Sequence, residues 1–540
     1  METYHDPNLL IWSWGFLLLY ITAMLLFGYL GQKRVANADD FATARGGYGP
    51  IFLAFAYSAT TASGATFIGI PGIAYDTGLP TLWVLYLYPV GVYVGVMICM
   101  TVVAKSGNKF GSRSIPEYLG DRFQSESLRL LVAIFSLLLF FYLAGQLVSC
   151  LVVFQTLLGL SKFWALFITC GVLAVYVMAG GAHADILTDG VQGMLMLALA
   201  VFILVLFLLG FGVDGGLAGL TENLRNQNPD FVAILNQDSP LVGSWWSVLC
   251  LALSTIPLGL LPHLGNKLWA LKGNAQRSNF IAAVFIMGML LPSIGLGGLL
   301  ARAIFGDELL TSGAGGNVAI PSLFIELFPT WVAALLGTAV LAAVMSTADG
   351  LVISSSQVIA NDIYRRTLAP RLHPHRSAEA VEATTLSISR WATLATLLIS
   401  ALLAWKFVEM NVLLLVWIGL GGMMAALSGP LILGLLWKGV TKAGAISGFI
   451  SGALAFSIAH TGFIQPHWFG HSGPLFAAAS WFADQAPNPY SCTVLGELAS
   501  LLVTFGVSLC SEKLPSSHLD AVFDDSPALQ MPEQIAAAPK

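Results

Sequence analysis

The sequence predicts an all-α polytopic membrane protein of about thirteen transmembrane helices, built around two five-helix halves that each contain a broken helix. Three observations carry this. Hydrophobic residues make up 56% of 540 and charged residues 10%, whereas a soluble domain keeps roughly a quarter of its residues charged. Apolar runs of about twenty residues, the length that spans a bilayer, recur thirteen times. Two of those runs, five helices apart, are interrupted by glycine, proline and hydroxyl residues.

The runs lie near 9–30, 50–73, 81–104, 128–158, 163–181, 187–212, 244–264, 278–303, 329–360, 387–408, 411–437, 443–461 and 493–511. The first is too long for a signal-peptide core and reads as a retained helix. With the N-terminus outside, 20 of the 24 lysines and arginines fall in inner loops, among them Lys267, and 4 fall outside. That asymmetry fixes an N-out, C-in topology in an inner or plasma membrane. The expected organisation is a peripheral helix and inner loop (1–47), a first five-helix repeat (48–213), an outer loop (214–243), a second repeat (244–440), two peripheral helices (441–513) and a disordered cytoplasmic tail (514–540). The six cysteines are scattered and read as apolar core residues. No basic run marks nucleic-acid binding, and no metal motif or paired nucleophile and base marks an enzyme.

The second run holds Ser58-Ala-Thr-Thr-Ala-Ser-Gly64 and then Gly69-Ile-Pro71-Gly72; the seventh holds Ser254-Thr-Ile-Pro257-Leu-Gly259-Leu-Leu-Pro262-His263. Unwound backbone is tolerated at membrane depth only where it is buried in protein or lines a cavity. Paired breaks in corresponding halves mark an inverted repeat with a binding site between them.

The ninth run supplies a polar stripe. Ala343, Ser346, Thr347 and Gly350 fall at i, i+3, i+4 and i+7 and share one face. Two hydroxyls opposite unwound carbonyls offer the neutral hard oxygens that bind sodium and release it; the alternative is hydroxyls bonded back to their own helix. Asp349 is an ionisable residue inside a membrane helix, a functional-site candidate by default. At about 100° per residue it points roughly 200° from Thr347 but about 60° from Ser346, so Ser346 is the ligand they could share. Asp189 opens the sixth helix, where it could instead complement the helix dipole, and Asp185 reads as interfacial.

The segments Tyr57-SATTASGATFIGIPGIAYDTG-Leu79, Thr188-DGVQ-Gly193, Leu260-LPH-Leu264 and Val344-MSTADGLVISSSQVIANDIY-Arg365 resemble the sodium:solute symporter family. FIGIPGIAY and LLPH look closest to its sodium/pantothenate branch. The resemblance implies a LeuT-like five-plus-five core and sodium-coupled uptake of a small polar organic solute by alternating access. It implies a sodium site formed by carbonyls of Ala59, Ala62 and Ala343 and hydroxyls of Ser346 and Thr347. A second sodium site would use Asp189, Ser346 and Asp349, the last standing where the family's second site has a serine. For the solute it implicates Thr61, Ser63 and Ala65 in the first break, Ser254 and Pro257 in the second, and Tyr142 with Gln146 one turn apart on the fourth helix. The proline branch carries an acid and a tryptophan where this chain has Thr61 and Ala65, which argues against proline and leaves pantothenate-like acids, other small carboxylates and amino acids. Sodium is then the co-transported ion, no organic cofactor is expected, and the partners are solute, sodium and lipid around a monomer. Proton coupling on the same fold is one alternative. A membrane sensor module is another; it should continue into cytoplasmic domains, and this chain has about thirty residues after its last helix.

Overall fold

The computed structural model describes residues 7–273, 276–311 and 315–523. Among them, thirteen helical spans follow one another: α1 (Pro7–Gln32), α2 (Pro50–Thr61 and Ala65–Thr77), α3 (Leu79–Phe110), α4 (Glu126–Leu158), α5 and α6 (together Lys162–Leu209), α7 (Trp245–Leu260 and Pro262–Ala270), α8 (Arg277–Phe305), α9 (Thr330–Leu372), α10 (Ala378–Lys406), α11 (Val412–Leu436), α12 (Lys442–His460) and α13 (Pro489–Cys510). A short helix, α14 (Ser516–Phe523), follows.

Both expected breaks are present. The halves of α2 meet at 59° and those of α7 at 52°. In α2 the helix stops at Thr61, and Ala62 takes φ −85°, ψ 77°. Side chains satisfy the freed donors: Gln146 Oε1 accepts from Gly64 N at 2.7 Å and Ser63 Oγ from Ala65 N at 3.1 Å. A buried break with its backbone polar groups paired in this way carries little penalty. In α7 the second half starts at Pro262, whose missing N–H is no loss at a helix start.

Packing follows from this frame. The first half of α2 lies against the α5–α6 segment and α8, and α9 lies against α4 and the α5–α6 segment. The pair α12 and α13 packs on itself and on α11. Small residues let backbones approach: a Cβ added at Gly91 or Gly95 of α3 would overlap the carbonyl oxygens of Ala252 and Ile256 in the first half of α7.

Three expectations need correction. The turn from α5 to α6 takes one residue, Gly181, at φ 51° and ψ −141°, a region that disfavours residues carrying a Cβ. Its Cβ would also meet Phe41 at 2.6 Å. Helix α6 therefore begins five residues before the expected 187, and Asp189 lies two turns inside it instead of in its first turn. Lys267, counted among inner-loop charges, belongs to the second half of α7 and is 4% exposed. Residues 516–523 of the expected disordered tail form α14. It docks through His518, stacked on Phe110 with its Nε2 3.0 Å from Arg122 O, and Phe523 beneath the Arg122 guanidinium. The rest of that tail lies outside the described residues.

The starts of α7 and α13 are joined to each other and to the connections that precede them. Trp246 Nε1 donates to Ser491 Oγ at 2.7 Å, and Asn488 Nδ2 donates to Pro240 O at 2.8 Å.

Candidate functional site

The break in α2 ends against the polar face of α9. Ser346 Oγ lies 3.0 Å from Ala59 O and 2.8 Å from Ala343 O. Thr347 Oγ1 donates to Thr60 O at 2.8 Å. All of these residues are fully buried. The structure thus gathers Ala59, Ala343, Ser346 and Thr347 as oxygen donors from two helices. The second α2 carbonyl that it brings to α9 belongs to Thr60, whereas Ala62 caps the helix and donates its N–H to Ser58 O at 2.9 Å.

One helical turn away stands a cluster of charge. Carboxylate oxygens of Asp185 and Asp189 on α6 and Asp349 on α9 lie within 4.8 Å of one another. Lys267 of α7 points into them, its Nζ 2.9 Å from Asp185 Oδ2, 2.5 Å from Asp189 Oδ2 and 2.5 Å from Thr60 Oγ1. Thr60 Oγ1 is also 2.6 Å from Asp189 Oδ2. Asp349, whose carboxyl also meets that of Asp185, has donors of its own: Tyr176 OH donates to Oδ2 at 2.9 Å, Thr188 Oγ1 lies 3.2 Å from the same oxygen, and Gly350 N donates to Oδ1 at 2.9 Å. Asp185 is 3% exposed, not interfacial. Ser346 makes its contacts with the α2 and α9 carbonyls rather than with the acids. A narrow cleft lined by Thr43, Asp185, His263, Asn266, Lys267 and Ser354 leads from the cluster toward the 33–49 loop.

The residues expected around the solute divide. Tyr142 packs edge-on against His263 with ring centroids 5.3 Å apart, and its hydroxyl meets Ser63. Gln146 holds the Gly64 N–H with its oxygen, while its Nε2, Ser254 Oγ and both ring nitrogens of His263 are buried without a hydrogen-bond partner. Thr61 turns its hydroxyl back to Tyr57 O at 2.8 Å, and Ala65 is buried at the start of the second half of α2. Pro257 lines a different, largely apolar cavity of about 130 Å³ shared with Ile432, Val494 and Glu497.

A matching family model for the sodium:solute symporter family spans residues 41–452. The chain belongs to that family. The symporter chain is 30% identical over 449 residues to the high-affinity proline transporter of Bacillus subtilis, covering 80% of this chain and 88% of that one. It is 28% identical over 465 residues to the sodium/pantothenate symporter of Escherichia coli, covering 82% and 89%. Its fold matches a Na⁺-coupled sialic acid symporter at TM-score 0.70 and 20% identity, covering 93% of this chain and 98% of that one. It also matches Mhp1, a nucleobase-cation-symport-1 family transporter, at TM-score 0.51 and 14% identity, covering 89% and 97%. This symporter-family chain is a multi-pass membrane transporter rather than an enzyme, and sodium is the ion its family couples to.

On the symporter's 105–129 side, basic residues are engaged in ion pairs. Arg113 meets Glu382 at 3.0 Å, Arg365 meets Glu117 at 2.8 Å and Arg366 meets Asp121 at 2.8 Å. Burial pushes the Asp121 carboxyl up to about 6, with Arg366 opposing. Arg129 Nη1 donates to Asp362 O at 2.5 Å. These contacts tie the α3–α4 connection to α9 and α10.

Sequence reasoning missed Lys267, Asp185, Tyr176 and Thr60 of the charged cluster. A signal existed for Asp185, which precedes Asp189 by four residues and so shares its helical face. For Lys267 the signal was the proline at 262, which starts a helix as readily as it ends one.

Proposed function

We propose that this chain carries a small polar organic solute inward together with sodium, by alternating access around the two breaks. The observation that carries the reading is the meeting of the Ser346 and Thr347 hydroxyls with the Ala59 and Thr60 carbonyls. These are neutral, fully buried oxygens at a helix break, placed where one monovalent cation can replace the hydroxyl-to-carbonyl hydrogen bonds. The sodium ligands we assign are Ala59, Ala343, Ser346 and Thr347, with Thr60 joining through its carbonyl and Ala62 at the edge of the break.

For the solute we assign Tyr142, Gln146, Ser63 and His263, with Ser254 at the second break. The open donor of Gln146 and the unpaired imidazole suit a compact solute bearing a carboxylate or amide. Buried polar atoms without partners are costly unless a ligand supplies them. Pantothenate-like acids, other small carboxylates and amino acids fit; Thr61 and Ala65 weigh against proline. We place the chain in an inner or plasma membrane, N-terminus outside, working as a monomer.

The test is uptake by proteoliposomes holding the purified full chain, against labelled pantothenate, short monocarboxylates and amino acids including proline. An imposed sodium gradient should drive accumulation of at least one of them, and a protonophore should leave it intact. Uptake that persists without sodium and collapses with the protonophore would replace sodium by the proton as driver.

A further inference from the structure

We propose that Lys267 supplies, from within the chain, the cation that the Asp185–Asp189–Asp349 trio requires, so that the protein binds one sodium ion and not two. The inference rests on the sodium reading above and concerns how many ions that reading admits.

Three carboxylates whose oxygens lie within 4.8 Å of one another, all at least 97% buried, make a site that demands positive charge. For two of the three carboxylates a side chain supplies it. The Lys267 ammonium touches Asp185 and Asp189 at 2.9 and 2.5 Å and reaches Thr60 Oγ1 at 2.5 Å. It comes from the second half of broken α7, while its partners come from α6 and the end of the first half of α2.

The third acid does not call for a separate ion. Asp349 accepts from Tyr176 OH and Gly350 N, lies beside the Thr188 hydroxyl and meets the Asp185 carboxyl, so its oxygens already have partners within the chain. Ser346, the hydroxyl a second sodium would share with the trio, is instead placed between Ala59 O and Ala343 O. The ammonium already holds the Asp185 and Asp189 oxygens that a sodium ion in the trio would need, and it brings Thr60 Oγ1 with it, so a second ion enters only by displacing Lys267.

The tethered ammonium also sits next to the first ion site by covalent structure. Thr60 offers its hydroxyl to Lys267 and its carbonyl to Thr347. Loading of sodium at the α2 break and the hold of Lys267 on α6 therefore act on the same residue.

The experiment counts ions. Radioactive sodium binding to the detergent-purified full chain, without solute, should reach one ion per chain with a Hill coefficient near one. Lys267→Met vacates the trio and should bind two ions per chain. Lys267→Arg should bind one. In Lys267→Met with Thr347→Ala, one strong site should remain, now dependent on Asp189. Two ions in the unmodified chain overturn the inference, as does a single ion in a monodisperse Lys267→Met or, should that variant not fold, Lys267→Gln. No sodium bound to the unmodified chain would overturn the sodium reading itself, a separable result.

Discussion

Removing the Thr347 hydroxyl tests the ion site most directly. Its Oγ1 lies 2.8 Å from Thr60 O, in a fully buried setting between α2 and α9. Without sodium, Thr347→Ala loses one hydrogen bond between neutral groups, about 1 kcal/mol, which a folded membrane protein survives. With sodium, the same change deletes one oxygen ligand to a charge where no water can take its place. Interactions of that kind contribute about 1.5–3 kcal/mol, so the sodium needed for half-saturation should rise tenfold or more, each factor of ten being about 1.4 kcal/mol. Thr347→Ser retains the oxygen and should stay within about threefold of the parent, a difference of some 0.7 kcal/mol. Ser346→Ala, which removes the oxygen between Ala59 O and Ala343 O, should resemble Thr347→Ala. The assay is sodium titration of thermal unfolding in detergent, repeated as sodium dependence of uptake in proteoliposomes. If both alanine variants express normally and keep the parent's sodium dependence, the ion is not bound between these helices.

Two further predictions follow the same logic. Removing one partner of a buried ion pair leaves a charge uncompensated and costs about 3–5 kcal/mol, whereas removing both restores much of that. In sodium-free buffer, Lys267→Met and Asp189→Asn should therefore each lower thermal stability, and the double variant should recover part of the loss; equal and additive losses would show that the pair is not coupled. If one sodium enters with a neutral solute, each cycle moves one charge inward. A potassium-valinomycin potential of about 100 mV, inside negative, then adds about 2.3 kcal/mol of drive and should stimulate uptake. An anionic monocarboxylate carried with one sodium should show no such stimulation.

Legibility in the sequence was uneven, for physical reasons. Thirteen spans could be found because lipid imposes length and hydropathy on each. The two breaks were visible because only small, hydroxyl or proline residues permit unwinding at depth, and the stripe of Ser346 and Thr347 because a helix repeats every 3.6 residues. Lys267 escaped because a lysine near the end of an apolar run is ordinarily in water, and charge counting over loops assumes so. Only the tertiary approach of α6 reveals that its ammonium has carboxylate partners. Asp185 escaped because the start of α6 was placed at 187, past a single-residue turn at Gly181 that local composition does not distinguish from a longer loop. Glu497, 6% exposed on α13 beside the apolar cavity that Pro257 lines, drew no attention either, since one acid in an otherwise apolar run leaves the hydropathy signal intact. The helix over Ser516–Phe523 depends on partners far away in sequence, Phe110 and Arg122, which no local pattern announces.

The approach of α3 to the first half of α7 has a mechanical consequence. A Cβ at Gly95 would stand 1.8 Å from Ile256 O, and one at Gly91 2.0 Å from Ala252 O and 2.1 Å from Thr255 Oγ1, so the two helices lie in close backbone contact. Helices packed this closely are expected to move together. A swing of the half of α7 that carries Ser254 would carry the far end of α3 with it, and that end bears Phe110, on which His518 is stacked. A displacement at the α7 break would thereby reach α14, which makes that helix the place to put a label if movement at the break is to be read out.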